Sequence, residues 1–461
     1  MTGANYLLEH SGIKILVDCG LNQGTKYAED LNYGPFSYDP KEIDYIFVTH
    51  SHIDHVGRLP KLYKDGFRGK VYATTATKDL IEVALPDNLS KIFDEARQDG
   101  HEPLFTKKDV VGLMGLVEGR FYKESIKLEA GIVAVLHDAG HILGSAIIEF
   151  RFSDEMQRGG DVAQNAVKKI YFSGDLGNPP TPLLMPTEKI KDADFIVVES
   201  AYGDRVHEAR QERRERLTSV IIETVGRGGV LMVPSFAVER TQEFLYTLNE
   251  LFNENRIPRV PVFIDSPLAV KMTEVYRRHP EYLNKATTYL INSGDDVFNF
   301  PELTVTLRPE DSKAINGVPP PKIIIAGSGM SQGGRIIHHE LRYLSDPNST
   351  ILFIGYQVDG SLGRRIQRGE SPVRILGQEV PVRCHLETIS SYSAHADQSQ
   401  LLQWVAESTK RGGGDGRLKK VFVVQGEEQS AKTFANLIRD NLGVEAVAPV
   451  DGDSFEMFSN Q

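Results

Sequence analysis

Cysteine is almost absent from this chain of 461 residues, which contains only Cys19 and Cys384. Two cysteines so far apart in sequence exclude a disulfide framework and a CxxC metal site, and they are typical of a reducing cytosol. No apolar run approaches the roughly 18 residues that a membrane-spanning helix needs. The first residues also lack the basic and apolar regions of a signal peptide. These absences predict a cytoplasmic protein without a membrane span.

An excess of basic residues is also missing. The chain has 52 Lys and Arg against 63 Asp and Glu, which gives a formal net charge of −11 at pH 7. This overall charge does not indicate nucleic-acid binding. It excludes little, because a local cluster of cations can attract a phosphodiester whatever the sum over the chain. The length is sufficient for two or three domains with sizeable cores.

Histidine, by contrast, is concentrated in one short segment. Residues 49–57 hold three of the chain's 13 histidines and one aspartate: His50, His52, Asp54 and His55. The apolar run before them, at residues 45–48, predicts a buried strand, and the residues after them predict a turn into a helix. The four side chains would then lie at the carboxyl end of a strand, where α/β folds place their chemistry. Imidazole and carboxylate are preferred zinc ligands, so a metal site explains the cluster better than a chance polar loop.

Four residues do not complete two metal sites, so further ligands are expected at later strand ends. Three candidates stand beside small residues in such positions: His141, Asp175 and His395. Small neighbours let the backbone approach an ion closely. Each candidate alone would more often be a turn or surface residue, and Asp175 could simply cap its turn. Their joint occurrence in matching contexts is what links them.

The arrangement of predicted elements changes along the chain. Strands and turns dominate the first part, up to a predicted strand at residues 195–199. The middle alternates strands with helices in a βαβ pattern, which predicts a parallel sheet in a separate domain. From about residue 372 the pattern returns to strands followed by helices. The sequence therefore predicts an α/β protein in which the middle part is a domain of its own.

These motifs together resemble a known family. The first set is similar to the metallo-β-lactamase fold: His50-x-His52-x-Asp54-His55, then Gly140-His141, then Gly174-Asp175. The second set resembles the beta-CASP branch of that superfamily: Glu199-Ser200-Ala201-Tyr202-Gly203, Pro234-Ser235-Phe236-Ala237 with Arg240, Ser328-Gly329-Met330 and Ser393-Ala394-His395. The resemblance covers nearly the whole chain. It implies a metallo-β-lactamase αββα sandwich made of residues 1–204 and 369–461, with an inserted parallel α/β beta-CASP domain at residues 205–368.

The resemblance also implies roles for the ligand candidates. One zinc ion would be held by His50, His52 and His141, a second by Asp54, His55 and His395, and Asp175 would bridge them. Two ions about 3.5–4 Å apart can share a hydroxide and stabilise both the attacking and the leaving oxygen. Manganese is an alternative metal for such ligands. Asp18 would orient a ligand imidazole, although an ordinary turn residue at a strand end is an equally good interpretation.

The catalytic group implied by the resemblance is Asp54, Glu199 and His395. Glu199 opens the first beta-CASP block and would be an acidic partner in proton delivery to the leaving oxygen, rather than a mere turn cap. In eukaryotic members a histidine fills the next motif, where this chain has Arg365. Arginine does not donate a proton at neutral pH. Arg365 would therefore contact phosphate or face solvent, which leaves the general acid open.

Four further residues are candidate contacts for the substrate. Ser328 and Gly329 belong to a glycine-rich connection between a predicted strand and a predicted helix. Backbone N–H groups at a helix N-terminus form an anion site, so the connection would cradle a phosphate. A plain strand-to-helix turn is the alternative. Ser235 and Arg240 are similar candidates at the domain boundary.

The function implied by the resemblance is a zinc-dependent ribonuclease in RNA processing or decay. A hydroxide shared by two zinc ions would cleave RNA phosphodiester bonds internally, with 5′-exonuclease activity left open. Three alternatives remain: a hydrolase of small thioesters, a DNA-directed nuclease and an inactive scaffold. The large insertion favours a polymer over a small substrate, and the seven filled ligand positions disfavour a scaffold. RNA is the expected partner, and a homodimer is left open.

Overall fold

The computed structural model describes residues 3–23, 26–153, 167–207, 212–355, 357–358, 360–409 and 418–458. The chain folds into two compact units. The first comprises Met1–Pro179, Pro186–Val206 and His395–Gln461. The second comprises Pro180–Met185 and His207–Ala394, so it is inserted in the sequence of the first. No helix among the described residues is long and apolar enough to cross a membrane.

Strands and α-helices occur throughout the described residues. The strands are β1 (Tyr6–His10), β2 (Ile13–Val17), β3 (Tyr45–Phe47), β4 (Lys70–Thr74), β5 (Val117–Arg120), β6 (Ser125–Lys127), β7 (Ile132–Asp138), β8 (Ala146–Phe152), β9 (Lys168–Phe172), β10 (Phe195–Glu199), β11 (Val230–Pro234), β12 (Val262–Asp265), β13 (Leu303–Val305), β14 (Lys322–Ala326), β15 (Thr350–Phe353), β16 (Val373–Ile375), β17 (Gln378–Val380), β18 (His385–Thr388), β19 (Lys420–Val424) and β20 (Glu445–Val447). The α-helices are α1 (Lys26–Asp30), α2 (Ile53–Val56), α3 (Leu59–Lys64), α4 (Thr75–Asp99), α5 (Lys107–Met114), α6 (Arg213–Gly226), α7 (Arg240–Asn253), α8 (Pro267–Arg278), α9 (Lys285–Asn292), α10 (Pro309–Ala314), α11 (Ile336–Tyr343), α12 (Leu362–Gln367), α13 (Gln398–Thr409) and α14 (Glu428–Leu442).

Two sheets form the centre of the first unit. One has the strand order β1-β2-β3-β4-β5, and the other has the order β20-β19-β10-β9-β8-β7-β6. Aromatic side chains of both sheets meet in one core: the ring of Phe47 lies 5.0 Å from that of Phe150, edge to face, and Phe150 lies 5.9 Å from Phe172. Such pairs add to the free energy of burial.

The outer face of each sheet is covered by helices. Leu62 of α3, Ile81 of α4 and Leu113 of α5 are buried against the first sheet, in one cluster with Ile46 of β3. The second sheet buries α13 and α14 in a separate cluster. Amphipathic helices bury their apolar stripe in this way, and the layers follow the order helix, sheet, sheet, helix. The predicted αββα sandwich is confirmed.

The second unit is built on one parallel sheet, with the strand order β13-β12-β14-β11-β15-β18. Its central strands are completely buried and rich in β-branched residues, as expected for a sheet covered on both faces. The predicted inserted parallel α/β domain is confirmed. β18 pairs with β15 in this sheet, with His385 opposite Thr350, and this unit therefore extends to Ala394, beyond residue 368. Periodicity alone does not reveal such a pairing, because β18 is short and partly exposed.

Candidate metal centre

The candidate ligands lie where strands of the first unit end. Asp18 directly follows β2, and His50 comes shortly after the neighbouring parallel strand β3. In the second sheet, Asp175 comes shortly after β9, and Glu199 is the last residue of the neighbouring parallel strand β10. Parallel neighbours end at the same edge of a sheet. The topology therefore gathers at two adjoining edges residues that are far apart in sequence.

His141 and His395 reach the same place from connecting segments. His141 lies in the tight turn between β7 and β8, where its N–H and that of Ile142 donate to Oγ of Ser145. His395 forms an isolated antiparallel bridge with Gly177, and the N–H of Ala396 donates to the carbonyl oxygen of Leu176 at 2.8 Å. These backbone contacts hold His395 beside the loop that carries Asp175.

Three imidazoles surround one carboxylate. Nε2 of His50 lies 3.4 Å and Nε2 of His141 lies 3.6 Å from Oδ2 of Asp175. Nδ1 of His52 lies 3.0 Å from Nε2 of His50 and 3.3 Å from Nε2 of His141. One ligand atom from each of the four side chains lies within 4.8 Å of the others. The structure thus brings together the residues to which the family resemblance assigns the first ion, and Asp175, which the resemblance implies as a bridging ligand.

A second group shares Asp175 with His395 and Glu199, again with ligand atoms within 4.8 Å of one another. Nδ1 of His395 lies 3.8 Å from Oδ2 of Asp175 and 3.2 Å from Oε2 of Glu199. Glu199 is completely buried, and its Oε1 accepts a hydrogen bond from the N–H of Leu176 at 2.6 Å. This carboxylate is thus shielded from solvent and lies beside the imidazole of His395.

Asp18 lies next to the candidate ligands without being one of them. Its backbone is in the left-handed region at φ 59°. Its carboxylate accepts hydrogen bonds from the N–H of Thr49 at 2.8 Å and from Oγ1 of Thr49 at 2.7 Å. Its Oδ2 also lies 2.7 Å from Nδ1 of His55. The opposite nitrogen of that ring, Nε2, lies 3.3 Å from Oδ1 of Asp175 and 4.0 Å from Oδ2 of Asp54. The contact with Asp18 therefore directs Nε2 of His55 towards the other acidic candidates.

Two residues of this network do not appear among the candidates from the sequence. Thr49 links Asp18 to the histidine segment, and Nε2 of Gln425, just after β19, donates to Oδ2 of Asp54 at 3.1 Å. A signal for Gln425 was present, because it follows an apolar run as Asp175 does. Neither threonine nor glutamine is a typical zinc ligand, however, so the residue type alone does not indicate a metal site.

Burial is the main cause of low pKa values in three of the imidazoles. Removal from water lowers the pKa of His50 to about 4, that of His52 to about 3, and that of His141 well below its usual range. Neighbouring imidazoles add to the effect in each case. The three rings are therefore neutral at pH 7, and a neutral imidazole offers a lone pair to a metal ion.

The two other imidazoles shift in the opposite direction. Burial lowers the pKa of His55, but Asp175 and Asp18 outweigh it and raise the value well above the usual range. Burial also lowers the pKa of His395, yet Glu199 and Asp175 raise it to about 9. For Asp175 itself, the surrounding His55, His50 and His395 outweigh burial and hold the pKa well below normal. The carboxylate at the centre is therefore ionised.

The donor set fits divalent cations. Among the described residues, the buried Oδ1 of Asp175 has no hydrogen-bond partner, although Nε2 of His55 lies 3.3 Å from it. Buried polar atoms without a partner cost free energy, and they call for a functional explanation. Zinc prefers neutral imidazoles, as in His50, His52 and His141, and ionised carboxylates such as that of Asp175, and carboxylates also suit manganese.

A glycine secures the loop that carries Asp54. A Cβ atom on Gly20 would lie only 1.6 Å from the carbonyl oxygen of Asp54, which also accepts the N–H of Ala4 at 2.8 Å. We predict that Gly20→Ala displaces this backbone and destabilises the fold by about 3 kcal/mol. For a unit of this size the melting temperature should fall by roughly 6–12 °C.

Differential scanning calorimetry would measure this change. Gly226→Ala is the matched control, because Gly226 is helical and a Cβ atom there meets nothing within 4 Å. That control should keep the melting temperature or raise it slightly. Equal melting of the wild-type chain and Gly20→Ala would contradict the predicted close contact.

Two of the candidate substrate contacts in the second unit are buried. Arg240 is 5% exposed, and its guanidinium donates to Oε2 of Glu243 at 2.7 Å and to the carbonyl oxygen of Tyr392. Ser235 is 3% exposed, with its Oγ 2.9 Å from Oγ1 of Thr241. Both side chains thus have partners within their own unit, and here they support the connection between β11 and α7.

The other three candidates lie in loops or on the surface. In the glycine-rich connection between β14 and α11, Oγ of Ser328 accepts the N–H of Gln332 at 3.1 Å. A Cβ atom on Gly329 would lie 2.5 Å from the ring of Phe236, so only glycine fits there. Arg365 is exposed and pairs with Glu370, with Nε 2.8 Å from Oε2.

Comparison with known proteins agrees with this architecture. Three family models match the chain: the Metallo-beta-lactamase superfamily at residues 2–140, the Beta-Casp domain at residues 241–366 and the Zn-dependent metallo-hydrolase RNA specificity domain at residues 379–449. Ribonuclease TTHA0252 of Thermus thermophilus is 38% identical over 95% of this chain and 93% of its own length. The transcription termination factor FttA of Methanosarcina mazei is 31% identical over 96% of this chain and 68% of its own length. FttA of Pyrococcus abyssi is 30% identical over 99% of this chain and 68% of its own length.

Proposed function

The chain belongs to the beta-CASP family of the metallo-β-lactamase superfamily and is a metal-dependent hydrolase; on this premise we propose that it is a zinc-dependent ribonuclease. The observation that carries the proposal is the group of His50, His52, His141 and Asp175, of which all but His52 are buried, in a chain so similar to a ribonuclease. Two ions, internal cleavage of RNA and an additional 5′-exonuclease activity are the finer parts of the proposal.

We assign the ligands of the two ions as the resemblance implies. The first would be held by His50, His52 and His141, the second by Asp54, His55 and His395, and both by Asp175. When bound, such ions activate water at neutral pH and stabilise negative charge on phosphoryl oxygens. The two free and buried cysteines, Cys19 and Cys384, support a reducing cytoplasm as the place of action.

Buried carboxylates of the protein orient two of the ligand imidazoles. Asp18 accepts the Nδ1 proton of His55, and Glu199 accepts that of His395, so that each ring keeps one orientation. Leu176 fixes Glu199 in turn through its N–H group. Because these partners are buried, water does not compete for the hydrogen bonds, and the orientation of the ligands is maintained between turnovers.

The substrate contacts are proposed on different grounds. Ser328 and Gly329 lie in the glycine-rich loop between β14 and α11, and successive backbone N–H groups of such a loop can cradle a phosphate. Arg365 offers a planar guanidinium at the surface, which suits a bidentate phosphate contact. Ser235 and Arg240 are buried, so we expect them to shape their loop and not to bind phosphate themselves.

Arg365→Ala should weaken RNA binding through the loss of one phosphate contact. The slope of log K against log salt concentration should become shallower by about 0.7–0.9, the value for one contact. Fluorescence anisotropy with a labelled RNA oligomer over a salt series measures both quantities. Glu370→Ala is the control: it removes the partner of Arg365 but keeps the cation, so binding should persist or strengthen. An unchanged salt slope in Arg365→Ala would refute the phosphate contact.

A cleavage assay tests the function itself. Matched single-stranded RNA and DNA oligomers, labelled at either end, would be incubated with zinc, with manganese and with chelator. Metal-dependent internal cuts in RNA alone are expected. Cuts in both polymers would favour the DNA-directed alternative. A chain that binds two ions but cleaves neither polymer would refute the ribonuclease, and small thioesters would be the next substrates.

The archaeal relatives favour a second candidate, the cleavage of nascent transcripts during termination. They carry the name of transcription termination factors, and the match covers nearly the whole of this chain. The chemistry would be the same, but the RNA would be presented by an elongating polymerase. Faster cleavage of RNA in a stalled elongation complex than of the same RNA free in solution would support this role. Equal rates would count against it.

A further inference from the structure

Gln357 lies at the carboxyl edge of the parallel sheet of the second unit. It comes shortly after β15, and the glycine-rich loop at residues 327–335 comes after β14. In the sheet, β11 lies between these two strands. Because all three strands run parallel, their carboxyl ends share one edge, which is where α/β sheets bind ligands. Gln357 is 3% exposed, so its amide needs partners within the protein.

The amide of Gln357 donates to two backbone carbonyl groups. Its Nε2 lies 2.8 Å from the carbonyl oxygen of Gly329, in the glycine-rich loop, and 3.1 Å from that of Gly355. The reverse orientation of the amide would place Oε1 against both carbonyl oxygens, where the oxygens would repel. The donor end of the side chain therefore faces the glycine-rich loop.

The acceptor end of the amide has no hydrogen-bond partner in the described part of the chain. Oε1 of Gln357 is buried, and it faces the backbone of Gly363, where a Cβ atom would lie only 1.9 Å away. A buried acceptor without a partner costs free energy and calls for a functional explanation. The contacts of Nε2 must outweigh this cost, and they supply the explanation sought.

A second hydrogen bond joins the same loop to α12. The N–H of Gly363 donates to the carbonyl oxygen of Met330 at 3.1 Å. Two successive carbonyl groups of the loop, those of Gly329 and Met330, are thus held by residues 357–363. The orientation of the peptide groups at this point of the loop is fixed by these contacts.

The contact with Gln357 determines where the N–H of Met330 points. The peptide bond between Gly329 and Met330 is trans, so its C=O and N–H groups point in opposite directions. Since Gln357 holds the carbonyl oxygen, the N–H group points away from Gln357. Among the described residues this N–H group has no hydrogen-bond partner, and Met330 is partly exposed. It is therefore a fixed donor that an anion could use.

We propose that Gln357 is a positioning residue that directs the N–H group of Met330 at a phosphate of bound RNA. The inference rests on the proposed ribonuclease function and on the phosphate contact proposed for Ser328 and Gly329. A backbone donor that is already fixed binds an anion without a further loss of conformational entropy. Without the amide, the carbonyl group of Gly329 is released and the peptide group can rotate. Arg365, which binds through its own guanidinium, should keep its contact.

The test locates phosphate contacts along a short, labelled, single-stranded RNA. One linkage at a time carries an uncharged methylphosphonate on a 2′-deoxy residue, and the same 2′-deoxy substitution alone is the reference. Fluorescence anisotropy of the metal-loaded full chain is read in a stopped-flow instrument before cleavage. Gln357→Met removes the amide but keeps the length and nearly the volume of the side chain. Gln429→Met is the matched control, because Gln429 is exposed on α14 and donates to Thr433.

In the wild-type chain, neutralising the linkage bound by Met330 should weaken binding about 10–100-fold, the range for a hydrogen bond to a charged group. Gln357→Met should weaken binding of the unmodified RNA by a similar factor, and neutralising that linkage should then add less than about twofold. The linkage bound by Arg365 should stay sensitive in Gln357→Met and become insensitive in Arg365→Ala. Gln429→Met should match wild type. The melting temperature of Gln357→Met should fall by no more than about 4 °C.

Two results would overturn the inference. The first is a pattern of sensitive linkages in Gln357→Met that equals the pattern of wild type. The second is the loss of every sensitive linkage together with a much lower melting temperature, since this would mean that Gln357 serves the fold alone. If the wild-type chain did not bind RNA, or had no sensitive linkage, the proposed function would fail with its phosphate contacts. That result would be visible before any variant is compared.

Discussion

Asp175→Ala is expected to abolish RNA cleavage and to lower the metal content of the purified chain. Asp175 is buried, and its two oxygens lie 3.3–3.8 Å from nitrogens of four imidazoles. Without the carboxylate, the two cations would lose the one ligand that the proposed assignment gives to both of them. We expect a loss of at least about 1,000-fold in kcat/KM, as for other residues on which an active site depends as a unit.

Two measurements belong together in this test. Cleavage of an end-labelled RNA oligomer gives the rate, and inductively coupled plasma mass spectrometry gives the zinc per chain. Asp65→Ala is the control, because Asp65 is exposed and pairs only with Lys61 in the described structure. Wild-type turnover by Asp175→Ala would rule out the bridging role, and full zinc content with lost turnover would limit Asp175 to a catalytic role.

Glu199→Gln should lower kcat by about 100-fold and leave KM nearly unchanged. The substitution keeps the shape and an oxygen that can accept the N–H of Leu176, but it removes the negative charge beside Nδ1 of His395. Carboxylate partners of ligand imidazoles contribute about 10–100-fold, and groups that assist proton transfer contribute 100-fold or more. Since Glu199 is completely buried, substrate affinity should not depend on it directly.

Steady-state kinetics with a short RNA would separate kcat from KM. Glu428→Gln serves as the control, since Glu428 is exposed on α14 and pairs with Lys432. Circular dichroism should be the same for all three chains. If kcat of Glu199→Gln stayed within threefold of wild type, the carboxylate would have no part in orienting His395. A raised KM with normal kcat would place Glu199 in substrate binding, against its burial.

Much of this site could be predicted because its chemistry follows a local rule. His50 and Asp175 come after apolar runs, and residues after such runs lie at the edge of a sheet where ligands gather. Glu199 also ends a strand, but it was the resemblance of its motif to the beta-CASP family that indicated a role for it. Gln425 lies in an equivalent position, but it is not among the residues predicted from the sequence. Its contact with Asp54 depends on the pairing of β10 with β19, which the sequence does not show. Sequence patterns show strand ends well, but they do not show which strands become neighbours.

The burial and the partners of the two arginines could not be predicted from the sequence, for a different reason. Arg240 and Arg365 both stood in motifs that suggested phosphate contacts. The structure buries Arg240 against Glu243 and the carbonyl oxygen of Tyr392, but leaves Arg365 exposed beside Glu370. An arginine enters a protein interior only with partners that satisfy its donors. Those partners are supplied by the fold, so the residue type alone does not distinguish the two cases.

The late position of His395 has a consequence for biosynthesis. All other assigned ligands lie within the first 175 residues, but His395 follows the entire inserted unit. A chain that is still on the ribosome folds its N-terminal parts first, and it would hold an incomplete centre until the inserted unit has been translated. On the proposed assignment, the chain would therefore gain nuclease activity only after the inserted unit has been translated. Ribosome-bound chains that end before His395 should accordingly leave RNA intact, and those extended through α14 should cleave it.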